Sequence, residues 1–175
     1  PPLDLSSAAS DVYKRQGLGM ITQTSRETFQ VPMPDVFAYI TTPTTWVEWY
    51  PGTSSVNGPE HPAKENERWE ECLRVSGFDM NVEWLAKEVR PPRVCTMEGK
   101  MRLSAPLLGW LSRGATVVLR YELLDAGADT CLERTMSYNF PNPLLRLADR
   151  LFLQRRTGRE TRAALSNLKQ ILEAR

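Results

Sequence analysis

Histidine is almost missing from this chain and cysteine is scarce. There is one histidine, His61, and there are three cysteines, Cys72, Cys95 and Cys131, among 175 residues. One imidazole excludes a multi-histidine metal centre within the chain. His61 lies between Glu60 and Pro62 in a polar loop, where a solvated side chain is the expectation. The cysteines are odd in number and far apart, which fits neither a disulfide framework nor the close ligand pairs of a zinc site. They are expected to be buried, reduced thiols, consistent with a cytoplasmic protein. No metal and no cofactor is expected. Missing too are a glycine-rich phosphate loop, a nucleophile elbow and a metalloprotease helix. No apolar run reaches the ~20 residues that a spanning helix needs. A strong excess of either charge is also absent, since 22 Lys and Arg stand against 21 Asp and Glu, for a net +1. That balance argues against a dedicated nucleic-acid binder, and no specific nucleic-acid partner is expected.

What is present is an ordinary globular composition, 41% hydrophobic and 25% charged, in a length that suits one domain. Residues 1–19, PPLDLSSAASDVYKRQGLG, have no hydrophobic periodicity and no continuous apolar stretch. The string SSAASDVYKRQ resembles translated sequencing-adapter sequence found fused to metagenomic reading frames. Residues 1–19 are therefore expected to be a non-native or disordered extension, with a single domain over 20–175.

From Met20 onward the periodicity changes twice. Thr22 to Val31 reads as an edge-like strand. Pro32 and Pro34 break it, and Met33 to Tyr39 reads as a short helix with Pro34 in its first turn. Thr44 to Trp49 is a second short helix. A two-residue rhythm then runs through five segments joined by short turns. Trp69, Glu71, Leu73 and Val75 share one side, as do Met80, Val82, Trp84 and Ala86. Cys95, Met97, Gly99 and Met101 follow, then Val117, Leu119, Tyr121 and Leu123, then Leu132, Arg134, Met136 and Tyr138. This spacing predicts an antiparallel meander with one apolar face and one wet face. After Pro141-Asn142-Pro143 the spacing becomes three and four. Leu144, Leu147, Leu151, Leu165, Leu168 and Leu172 mark a stripe of one helix from Leu144 to Ala174, ~45 Å long at 1.5 Å per residue. The order is α+β, with one long C-terminal helix for the sheet to wrap around.

Two segments with this order resemble the START-like or SRPBCC superfamily, also called helix-grip, and within it the polyketide cyclase/dehydrase and lipid-transport branch. VPMPDVFAYITTPTTWVEWYPG, from Val31 to Gly52, resembles the family's opening, with Val-Phe on one helix and Trp-x-x-Trp on the next. Tyr138 to Ala174 resembles its aromatic-Pro exit and its Leu- and Arg-rich final helix. One departure is Thr41-Thr42-Pro43, where relatives often carry Asp or Asn. Threonine can still N-cap the second helix, so no loss is expected there. The resemblance implies a curved antiparallel sheet, in the order β-α-α-β-meander-α, wrapped around the final helix. It also implies a cavity between them for an apolar or amphipathic small molecule such as a lipid, a quinone or a polyketide. The fold does not choose the function, so the site must.

The apolar face carries two charges, Glu71 and Arg134, and a charge there is costly unless it is paired or hydrogen-bonded. They are candidates for orienting a ligand; the competing reading is that they pair with each other or reach water. The expected ligand-binding set is Trp69, Glu71, Leu73, Met80, Val82, Trp84, Met97 and Met101. It continues with Leu119, Tyr121, Arg134, Met136 and Tyr138, and with Leu151 and Gly158 on the helix. Gly158 lies seven residues from both Leu151 and Leu165, so it either admits a tight sheet contact or leaves room. In an enzyme of cyclase or dehydratase type, Glu71 or Tyr138 would be the acid/base candidates. The apolar stretch Ser104 to Ser112 either caps the core or forms a lid. It also offers Leu107, Leu108 and Trp110 for a peripheral membrane or partner contact. Residues 143–175 carry eight basic and three acidic groups, a net of +5. That suits a solvated face, or an anionic partner in an interaction module. Oligomeric state is left open.

Overall fold

The computed structural model describes residues 20–75, 77–104, 109–149 and 154–175. Seven strands form one antiparallel sheet in the order β1-β7-β6-β5-β4-β3-β2. They are β1 Ile21–Phe29, β2 Thr53–Asn57, β3 Arg68–Val75, β4 Phe78–Arg90, β5 Val94–Leu103, β6 Thr116–Ala126 and β7 Asp129–Asn139. Helices α1 Met33–Thr41 and α2 Trp46–Trp49 lie between β1 and β2. Helices α3 Pro143–Ala148 and α4 Gln154–Glu173 follow β7. The meander from β3 to β7 is the one the alternation predicts. β2, only five residues long and rich in serine, carries too little apolar pattern to announce itself.

The α1–α2 connection differs from the expectation in its capping. The hydroxyls of Thr41 and Thr42 donate back to the carbonyls of Phe37 and Ala38, both at 2.7 Å. They terminate α1 by satisfying its last carbonyls, and Thr42 makes no side-chain cap on the turn that follows. Trp46 Nε1 donates to the Ile40 carbonyl at 2.9 Å and pins α2 to α1. One chain exit at Gly77, with φ at 88°, supports the β3–β4 hairpin.

Of the single helix expected over 144–174, the described residues form α3 and α4, and residues 150–153 between them lie outside the described residues. Within α3, Leu144 and Leu147 are 66% and 56% exposed, so the first two leucines of the expected stripe face solvent. On α4 the inner face is Thr157, Thr161, Ala164, Leu165, Leu168 and Leu172. Its C-terminal half is tied down: Lys169 Nζ donates to the Thr28 carbonyl at 2.6 Å, and the Gln30 N–H donates to Glu173 at 2.9 Å. Leu165, Leu168 and Leu172 there join Phe29, Val36, Ile40, Leu123 and Leu132 in the apolar core.

All three thiols are free, but only Cys95 is fully buried, and burial pushes it up to about 12. Cys72 is exposed, because it takes the outward register on β3 next to inward Glu71. Gly99 shows how tightly the inner face is packed. A Cβ there would lie 2.6 Å from Val82 and 2.7 Å from Val117, so any side chain would force both valines aside.

Candidate functional site

The filled core occupies the end of the sheet near α1 and the C-terminal half of α4. Toward α2, β3, β4 and α3 the packing opens into a cavity of about 130 Å³, measured as the space open to the centres of water-sized molecules. The sheet supplies Leu73, Met80, Val82, Met101, Leu119 and Met136; α2 and its exit supply Trp46, Trp49 and Tyr50. Leu145 and Ala148 of α3 close one side, and Thr157 of α4 another. Phe78 lines the cavity and is still 44% exposed, which places it at the mouth.

Strand register explains the convergence. Tyr121 on β6 faces Arg134 on β7, Glu71 on β3 faces Val82 on β4, and Leu73 faces Met80. Each of these points inward on a sheet that curves around the same space. Beside them, Trp46 meets Trp69 and Trp84 edge-on, both at 5.8 Å between ring centroids.

Glu71 is 4% exposed and fully engaged. Thr53 Oγ1 donates to one of its oxygens at 2.6 Å, and Trp84 Nε1 donates to the other at 2.8 Å. Burial raises its pKa above the ordinary carboxylate range, against the opposing effects of these two donors and of Arg134. Arg134 is 5% exposed. Its guanidinium stands 5.9 Å from the centre of the Tyr50 ring, and its Nη2 reaches Met136 Sδ at 3.8 Å. Glu71 is not within ion-pair distance of it, so the simple mutual pairing weighed in the sequence reading is not what the site contains.

A second polar group sits where β7 meets α3. Tyr138 donates its hydroxyl proton to Asp149 at 3.0 Å, and Gln154 Nε2 donates to the same carboxylate at 3.3 Å. Burial raises Asp149, and burial with the adjacent carboxylate raises Tyr138.

Eleven of the expected binding residues line the cavity. They are Glu71, Leu73, Met80, Val82, Trp84 and Met101, with Leu119, Tyr121, Arg134, Met136 and Tyr138. Trp69 and Met97 are buried but are not among the lining residues; Trp69 stacks on Trp84, and Met97 is fully enclosed in the core. A Cβ on Gly158 would meet nothing within 4 Å, so no tight sheet contact requires the glycine, and Gly158 does not line the cavity either. Leu151 lies outside the described residues, as do Leu107 and Leu108. Trp110 is 60% exposed on a short 3-10 turn, Gly109–Ser112. The sequence reading missed Trp46, Trp49 and Tyr50. Their Trp-x-x-Trp-Tyr spacing places all three on one short helix and its exit, which was the available signal. It also missed Asp149, which directly follows α3 and is 1% exposed.

Among the described residues, no cluster of His, Cys, Asp and Glu could hold a metal ion. Among the described residues, too, no helix is long and apolar enough to cross a membrane. A curved seven-stranded antiparallel sheet with a C-terminal helix and a largely apolar cavity defines a helix-grip domain of the SRPBCC type. The chain belongs to the polyketide cyclase / dehydrase and lipid transport family, whose model matches residues 20–173. No curated protein matched it. Among solved structures it is similar to an uncharacterized protein from Rhizobium leguminosarum, with TM-score 0.63 and 14% identity over 89% of this chain and 96% of that one. A conserved protein from Geobacillus kaustophilus gives TM-score 0.67 at 8% identity, covering 88% and 96%. The major latex-like protein 151 from Panax ginseng gives 0.58 at 10%, covering 87% and 97%. At these identities the likeness is one of fold.

Proposed function

We propose that this protein binds a hydrophobic or amphipathic small molecule, of lipid, quinone or polyketide-like type, in the cavity between sheet and helices. The observation that carries this reading is the cavity itself. Its wall is aliphatic, thioether and aromatic, and it is interrupted by a few buried polar side chains, chiefly Glu71 and Arg134. Affinity comes from apolar burial, at ~25 cal/mol per Å², and orientation from the polar groups. Catalysis by Glu71 or Tyr138 has less behind it. Both oxygens of Glu71 already accept protein donors, and the Tyr138 proton is already given to Asp149. A contact surface at Trp110 and the basic final helix is the remaining alternative use of the chain.

The test begins with native mass spectrometry of freshly purified protein, followed by solvent extraction of whatever is retained. In parallel, the neutral fluorophore N-phenyl-1-naphthylamine reports an apolar site by its emission. Leu119→Trp, on the central wall, should abolish its uptake while costing about 1–3 kcal/mol of stability from overpacking. Full uptake by a folded Leu119→Trp protein would place the probe elsewhere and end this reading.

A further inference from the structure

The polar groups of the cavity differ in what they still lack. Glu71 has a protein donor on each oxygen, from Thr53 at 2.6 Å and from Trp84 at 2.8 Å. Two other lining residues carry buried N–H groups with no hydrogen-bond partner: Nε of Arg134 and Nε1 of Trp49. Both groups are donors and can never accept. The unmet demand around the cavity is therefore for an acceptor.

Arg134 makes that demand electrostatic as well. A guanidinium keeps its charge at any pH a protein survives, so it cannot escape burial by losing a proton. Its neighbours are the Met136 thioether at 3.8 Å, a weak acceptor, the hydroxyl of Tyr121 opposite it on β6, and the face of Tyr50 at 5.9 Å, none of them an anion. Among the described residues, no carboxylate oxygen lies within 4.0 Å of it. A buried cation without an anion in contact is expensive.

We infer that the ligand carries a planar anionic head group of carboxylate type, seated on Arg134, with its apolar body among Leu73, Met80, Val82, Leu119 and Met136. This rests on the reading of the cavity as a binding site and adds the charge and the orientation of what it binds. The guanidinium fork matches the two oxygens of a carboxylate.

The experiment is competition against bound N-phenyl-1-naphthylamine in the whole protein, with decanoate and methyl decanoate as competitors. The two share a chain and a carbonyl acceptor and differ in charge. Decanoate should displace the probe at roughly tenfold lower concentration or better, the scale of one charge-assisted hydrogen bond. Arg134→Met should erase that preference while the methyl ester still competes, and Arg134→Lys should keep part of it. Equal competition by acid and ester in the parent protein would overturn the inference and leave the proposed function standing. So would an acid preference retained in Arg134→Met. If the parent takes up neither probe nor competitor, the cavity reading fails and this inference fails with it. The parent comparison decides the matter even if the Met variant does not fold.

Discussion

Glu71 shows how a buried acid can be kept without a counter-ion in contact. Trp84 Nε1 can only donate, whereas the Thr53 hydroxyl can donate or accept. When Glu71 holds its proton, it can donate to Thr53 and still accept from Trp84, so both contacts at 2.6 and 2.8 Å survive. Burial favours that neutral form and raises the pKa. The folded state then holds the proton to higher pH than the unfolded chain does. Stability is least affected below the ordinary carboxylate range and falls as pH rises through it toward the folded value. Asp149, raised by burial, acts in the same direction. Glu71→Gln keeps the shape, with its carbonyl on Trp84 and its amide donating to Thr53. Urea midpoints measured between about pH 4.5 and about pH 7.5 should therefore fall less steeply in the variant than in the parent. Identical slopes would show that Glu71 titrates alike in the folded and unfolded chain.

At the level of elements, the two C-terminal helices do different work. No residue of α3 is buried, whereas α4 buries six side chains on one face. Leu147→Ser should change stability by no more than about 0.5 kcal/mol. Leu168→Ala, at a site with 0% exposure, should cost about 2–5 kcal/mol. Denaturant titration of the two variants checks both, and a large loss at Leu147 would restore the single buried stripe that its spacing suggests. The spacing misleads there because heptad-like leucines record only that a helix is amphipathic, and solvent can take one side of a short one. The strands were more legible. A period of two fixes which side chains share a face, so Glu71, Tyr121 and Arg134 could be grouped before their neighbours were known. Distance across the sheet could not be read that way. Met97 and Trp69 share the inward side with the cavity residues and yet pack in solid core, because curvature and the position of α4 decide where that core stops.

Taken whole, the molecule divides into a packed end and an open end. The packed end is fastened by α4, through Lys169 to Thr28 of β1 and through Glu173 to Gln30 just after it. The open end is walled by residues of α2, three aromatic side chains in succession along one turn and its exit. The segments Val31–Gly52 and Tyr138–Ala174 were enough to name the superfamily. What they could not convey was the state of each polar group, because satisfaction of a donor is a three-dimensional property. The charge separation legible in the sequence persists, with the net +5 of residues 143–175 carried largely by the final helix.

The contact between Tyr138 and Asp149 has a kinetic consequence. Helix α3 is held at its start by Asn142, whose side chain accepts from the Leu144 and Leu145 N–H groups, and at its end by Asp149 on Tyr138. Between those two fastenings it contributes Leu145 and Ala148 to the cavity and little to the core. Elements with few buried contacts open at low free-energy cost. Under the proposed function, residence time and affinity would then be governed by different parts of the protein, the first by α3 and the second by the sheet. Tyr138→Phe should accelerate release of N-phenyl-1-naphthylamine in stopped-flow dilution and speed amide exchange along α3. Entry should quicken in proportion, leaving the equilibrium constant near its parent value; unchanged release would mean that the molecule leaves by another way.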